Sequence, residues 1–194
     1  MKTNSGLKEV KSFLRELTIV TAGVLIALFL SNLKENNQAR KYQIASIKTV
    51  NSEVTENYSN LKGIVEEQTR LIDTIEKYSA DHITLSELIL KKGGGVQIAQ
   101  LRNAGLEFYT KNQINLIDFE MMSRLISMRA TSKLLEIKVE KLLDFMNPNF
   151  FVDSKESKML VIIYLHNIID SENQLMHLYE SFTDDYIRTK HKTQ

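Results

Sequence analysis

Cysteine and tryptophan are both absent from the chain, and its 194 residues include one proline and seven glycines. Without thiols there is no disulfide frame, no thiolate nucleophile and no cysteine metal site. So few helix breakers leave room for long uninterrupted helices. A formal net charge of +1 removes the electrostatic case for a nucleic-acid partner. No serine sits in a G-x-S-x-G elbow, and no paired carboxylates stand out from the solvated Glu and Asp background. The glycine triplet Gly93, Gly94 and Gly95 follows Lys91 and Lys92 instead of preceding a lysine and a Ser/Thr. It therefore reads as a turn and not as a phosphate loop.

What the chain has is one long apolar run. Leu17 to Leu33, LTIVTAGVLIALFLSNL, carries no charge over about 17 residues, the short end of what spans ~30 Å of hydrocarbon as a helix. Phe13 and Leu14 extend it backwards, and Arg15 and Lys34 sit where long side chains snorkel to the headgroups. Two other readings compete. A cleaved signal peptide needs a small-residue site after its apolar region, but Leu28, Phe29 and Leu30 occupy that zone. A buried core helix is the other, but Ile19 to Leu30 is apolar on all faces, whereas the later helices each show a stripe. The run predicts a single membrane-spanning helix with the lipid bilayer as its partner.

Beyond Lys34 the chain turns polar without a breaker, so the helix is expected to continue. Ile47, Val54, Tyr58, Leu61, Val65, Ile72 and Ile75 fall at heptad-like spacing, with Asn51 and Gln68 in two slots of the same stripe. Such a face packs on its own domain or on a second copy, and the later helices favour the former. Gly63 is expected to mark close packing. Ser79 to His82 ends this helix. Thr84 and Glu87 form a capping box for a short one.

Val96 to Tyr109 reads as a helix with Ile98, Leu101, Leu106 and Tyr109 inward, and Lys111 to Ile114 as a connection. Asn115 and Asp118 then cap a long helix whose broad apolar face comprises Leu116, Ile117, Phe119, Met121, Met122, Leu125, Ile126 and Met128 and continues through Leu134, Leu135, Ile137, Val139, Leu142, Leu143 and Phe145. Asn147-Pro148-Asn149 stops it. Asp153 and Glu156 are the next capping pair. The last helix is expected over Met159 to about Arg188, with Met159 to Leu165 as the most deeply buried turn and Ile163 inside it.

No chemistry-bearing constellation emerges. His166 and His177 share a helix face but stand ~16 Å apart along the axis, too far for one metal. His177 and Glu180 are at i, i+3, but no second Glu-x-x-His completes a di-iron set. Met121, Met122, Met128, Met146, Met159 and Met176 suit core filling better than ligation. Catalytic, cofactor-binding and metal-binding residues are therefore assigned as none, and no cofactor is expected.

GVLIALFLSNLKE (Gly23 to Glu35) resembles an uncharacterised family of bacterial single-pass proteins. In that family a G-I-L-I-A-L run, ending in Asn and a nearby acidic residue, leads into a helical domain. A glycine-containing turn followed by LRNAGLEFY and LIDFEMMSRL extends the likeness more loosely over the first two-thirds of the domain. Leu33 stands where the family often has tryptophan. The resemblance implies an inner-membrane anchor with the domain outside the cytoplasm, and it supplies no activity.

The sequence thus predicts an all-α protein. Residues 1–16 are a lead-in, 17–33 the transmembrane helix continuing into a long helix, 34–190 an antiparallel helical bundle and 191–194 a tail. The function expected is a membrane-anchored, non-enzymatic interaction or scaffold protein, such as a small subunit of a bacterial envelope complex, with a protein partner or a homo-oligomer. The alternative is a membrane-tethered sensor or ligand-binding domain. Lys2, Lys8, Lys11 and Arg15 before the span balance Lys34, Arg40, Lys41 and Lys48 after it. The amino-terminal charge, the short leading segment and the lack of cysteine break the tie. They place the amino terminus in the cytoplasm and the domain in the periplasm.

Overall fold

The computed structural model describes residues 4–112 and 119–192, with side chains described for Lys11, 13–110, 119–184 and Tyr186. The described residues are all-α. The helices are α1 (Asn4–Lys77), α2 (Ala104–Asn112), α3 (Phe119–Asn149) and α4 (Lys155–Lys192), with a short π-helical turn at Glu87–Lys92. Two compact units divide the chain, Met1–Ala45 and Ser46–Gln194.

The first unit is helical from Asn4. Among its described side chains only Ala39 and Gln43 are even partly buried. Phe13, Ile19, Val20, Leu25 and Phe29 are each about 60% exposed. Thr18 returns its hydroxyl to Leu14 O (2.8 Å), so its polar group costs little in apolar surroundings. One helix among the described residues is long and apolar enough, by length and composition, to cross a membrane, and its apolar window is wholly unburied.

The second unit owns the core. The heptad-like face of α1 is internal here: Val54, Leu61, Ile72 and Ile75 are buried, with Ile47 and Tyr58 packed against them. Contacts between α3 and α4 run in opposite order along the two helices. Arg124 meets Ser181, Lys138 meets Asn167 and Ser171, and Phe145 stacks near Tyr164. The pair is therefore antiparallel. The same inverse order holds between α1 and α4, from Asn57–Tyr179 to Gln68–Glu172.

Several expectations change. Residues 96–103 are not helical, and the helix begins only at Ala104. Gly63 has open space where a Cβ would stand, so it marks no close approach. Gly105 does: a Cβ there would lie 3.0 Å from Thr49 Cγ2. Gly94 and Gly95 take φ of +74° and +95°, the left-handed turn that the triplet promised. The cap of α4 is Ser154, whose Oγ accepts the Ser157 N–H at 3.1 Å. Asp153 is engaged elsewhere, and α4 starts four residues before Met159 and extends to Lys192. Thr84 Oγ1 does accept the Glu87 N–H, as the capping box requires. Asn115 and Asp118, with Leu116 and Ile117, lie outside the described residues.

Two apolar stretches are less buried than their composition suggests. In Met159 to Leu165, Val161, Ile162 and Leu165 are buried, but Met159, Leu160 and Ile163 are exposed, Ile163 by 51%. On α3 the buried set is Met122, Leu125, Met128, Leu135, Leu142 and Met146. Phe119, Ile126, Leu134, Ile137 and Leu143 are exposed. A helix turns 100° per residue, so one flank of each helix suffices for the core and the excess apolar residues face out.

Candidate functional site

The most specific arrangement in the bundle domain is a strap, residues 96–103, held along α1 by polar side chains. Asn57 makes a paired contact with Arg102: its Nδ2 donates to Arg102 O (2.8 Å) and its Oδ1 accepts the Arg102 N–H (2.9 Å). Asn60 Nδ2 donates to Gln100 O (3.1 Å), and Gln68 Nε2 donates to Gln97 O (3.0 Å). The register follows from the two rises. Eleven helical residues from Asn57 to Gln68 cover ~16.5 Å. Five extended residues from Gln97 to Arg102 cover about the same length. The strap's Gln97, Gln100 and Arg102 carbonyls, which would have been satisfied internally in a helix, are satisfied by side-chain amides of α1 instead.

The strap delivers the chain to α2. Glu53, one turn before Asn57, receives the first free amides of that helix: Gly105 N at 2.8 Å and Leu106 N at 3.2 Å. A carboxylate at that end complements the helix dipole and caps two orphan donors. Arg102 Nη1 reaches Glu56 at 2.9 Å on the exposed side.

Two of these amides also reach α4. Asn57 Nδ2 contacts the Tyr179 hydroxyl at 3.3 Å, and Gln68 Nε2 donates to Glu172 Oε1 at 3.1 Å. Asn57, Gln68, Tyr179 and Glu172 are all buried. Burial pushes the Glu172 carboxyl up to about 7, against the opposing pull of the Gln68 bond. The Tyr179 hydroxyl is also raised by burial. Further along α1, Tyr58 donates to Glu180 Oε1 at 2.6 Å. That bond raises the phenol and holds the carboxyl below its ordinary range.

A second knot closes the other end. Lys158 is fully buried, and its ammonium donates to Asp81 O (2.7 Å) and Asp153 Oδ1 (3.0 Å). His82 Nδ1 lies 3.2 Å from Asp153 Oδ2. The Lys158 bond, more than His82, holds the Asp153 carboxyl below its usual value. Backbone bonds from Leu85 N to Val152 O and from Ser86 N to Phe150 O tie the same two loops together.

The described histidines, His82, His166 and His177, are dispersed. His166 Nδ1 contacts its own Ile162 O, and His177 pairs with Glu180 at 3.4 Å. Among the described residues no group of three His, Cys, Asp or Glu side chains converges as a metal set would. An open groove of about 880 Å³ is lined by Lys48, Asn51, Ser52, Thr55, Glu56 and Tyr186, among others. Its lining includes hydroxyls and amides that can bind polar groups.

Comparison with known protein families, with curated proteins and with solved structures finds no match in any of the three. Sequence reading missed the strap and its clamp. The signal was available in part, since Glu53, Asn57, Asn60 and Gln68 recur near helical spacing on the helix that also carries the heptad face.

Proposed function

We propose that the protein is a membrane-anchored, non-enzymatic interaction or scaffold protein, with residues 17–33 in the bilayer and the helical domain presented to a protein partner. The observation that carries this reading is the uncharged run 17–33, whose large apolar side chains are all exposed in the unit that contains them. Lipid is the environment in which such an all-round apolar helix is stable. The likeness of Gly23 to Glu35 to bacterial single-pass proteins supports the same reading, and with it an inner-membrane location, a cytoplasmic amino terminus and a periplasmic domain. The exposed Ile126, Leu134 and Ile137 of α3 support a protein-facing role for the domain. The open groove along α1 favours a second reading, a membrane-tethered sensor that binds a small polar ligand.

The test is fractionation followed by capture. Full-length protein should resist alkaline extraction from membranes, and a chain lacking residues 1–33 should appear in the soluble fraction. A truncated chain that still requires detergent would sink the anchor assignment. Crosslinking in intact membranes should then trap a discrete protein species on the domain. A co-purifying small molecule with no crosslinked protein would favour the sensor. Protease added to spheroplasts should digest the domain, and protection that only detergent relieves would reverse the orientation.

A further inference from the structure

The Gln68–Glu172 contact has an imbalance that points to a proton. Gln68 Nε2 carries two hydrogens and spends both, one on Gln97 O and one on Glu172 Oε1. The other oxygens of the same two groups, Gln68 Oε1 and Glu172 Oε2, are buried and without a hydrogen-bond partner. Two acceptors facing the interior across one hydrogen bond are costly if both lack a donor. A single hydrogen on Glu172 Oε2 supplies the missing donor for both. Carboxylic acid and primary amide then pair through two hydrogen bonds in one ring.

Among the described residues the surroundings offer no ionic alternative. On α1 the neighbouring charges Glu66, Glu67, Arg70 and Asp73 are exposed, and Arg70 pairs with Glu67. On α4 Asp170 and His177 are exposed, and His177 is held by Glu180. The nearest cation from α3, Lys138, donates to Asn167 O and Ser171 Oγ. The strap brings only Arg102, which is at Glu56. The short helix brings Glu87 and Lys91, which pair with each other, and Lys92, which lies over the Tyr78 ring.

We propose that Glu172 is a buried proton-binding site, held as the neutral acid by an acid–amide ring with Gln68, and that loss of its proton loosens the strap 96–103 from α1. The coupling runs through Gln68, which is the partner of Glu172 and the clamp on Gln97 O. Ionisation turns the Glu172 Oε2–H donor into a second negative acceptor facing Gln68 Oε1. The amide relieves that repulsion by turning over or withdrawing, and either movement removes its N–H from Gln97 O. The burial-driven rise of the carboxyl to about 7 puts the change within the neutral range. Because the folded value lies above the ordinary carboxylate value, the contribution of Glu172 to stability is fully present below pH ~4.5 and is lost as pH rises through about 7.

The experiment uses the full chain in detergent, with glutamate labelled at the carboxyl carbon and Glu172→Gln to identify the signal. The Glu172 carboxyl should titrate with a midpoint above 6. A midpoint below 5 overturns the proposal. In parallel, Glu172→Gln preserves the ring as an amide–amide pair, so its thermal midpoint should be nearly flat between pH 5.5 and 8.5 while that of the wild type falls. Parallel profiles for the two proteins overturn the proposal. Hydrogen exchange reads the strap directly. At pH 8.5 the amides of 96–103 should exchange faster in wild type than in Glu172→Gln, by up to about three-hundred-fold, the linkage limit for a carboxyl that moves from about 7 with the strap closed to the ordinary ~4.5 with it open. Equal exchange in the strap, with a carboxyl that does titrate above 6, keeps the proton site and overturns the coupling.

Discussion

Two aspartates placed two residues apart on α4 should behave as if they were in different proteins. Val161 is fully buried in the core, and Ile163 is half exposed. Val161→Asp removes a buried valine, worth ~1.5–2 kcal/mol of apolar burial. It also buries a carboxyl with no designed partner, a further ~2–4 kcal/mol even if the group stays neutral. The total, ~3.5–6 kcal/mol, is comparable with the lower end of the stability of a small domain. Ile163→Asp loses only partial burial, ~1 kcal/mol, and leaves its charge in water. Thermal unfolding followed by helical circular dichroism resolves the pair, since a kcal/mol shifts the midpoint by ~2–4 °C in a domain of this size. Val161→Asp should lower the midpoint by ~10 °C or more or abolish the transition, and Ile163→Asp should lower it by only a few degrees. Equal losses would refute the packing assigned to this turn, and a greater loss at Ile163 would mean that the outer face of α4 is covered.

Two further variants test the polar contacts. Asn57→Ala removes both hydrogen bonds to Arg102 and the contact with Tyr179, and should cost ~2–4 kcal/mol in urea titration. It should also accelerate amide exchange in 96–103, and an unchanged strap would show that Asn57 is not its clamp. Lys158→Met keeps the apolar stem and deletes the ammonium, so Asp81 O and Asp153 Oδ1 lose their donor. A loss of ~2–4 kcal/mol at pH 7 should follow. Because Lys158 lowers the folded Asp153 value, that contribution is present above the ordinary carboxylate pKa and fades as pH falls through and below ~4. The gap between Lys158→Met and wild type should therefore narrow in acid, and a gap that widens there contradicts the ion-pair account.

The helical architecture was legible because periodicity is a local signal. The stripe Val54, Leu61, Ile72 and Ile75 recurs at helical spacing, and the same residues are buried. The turn at Gly94 and Gly95 was legible because only glycine takes those dihedrals without strain. The strap was not legible, and the reason is physical. Val96, Ile98 and Leu101 are spaced as tolerably for a helix as for an extended run. The deciding free energy lies in Asn57, Asn60 and Gln68, about 30 to 45 residues away, which offer the strap's backbone an alternative to its own helix hydrogen bonds. Glu53 acts in the same way at the start of α2. No window centred on 96–103 contains those residues.

The polar residues of α1 therefore carry a different meaning from the one their stripe suggests. Gln68 in a heptad slot is the kind of residue that sets register between two copies of a helix. Here it is fully committed inside its own domain, to Gln97 O on one side and Glu172 on the other. A homo-oligomer built on this face would have to break both contacts and leave the carboxyl of Glu172 without its partner. Any oligomerisation by the folded domain must use another surface. The exposed Ile126, Leu134 and Ile137 of α3 can supply apolar area without that cost. The exclusion is testable by pairing variants. Gln68→Leu should destabilise the domain without changing its mass in solution, whereas Ile137→Glu, at an exposed position, should leave stability nearly unchanged. A change of mass in the first variant would return the heptad face to the interface, and a change in the second alone would place the interface on α3.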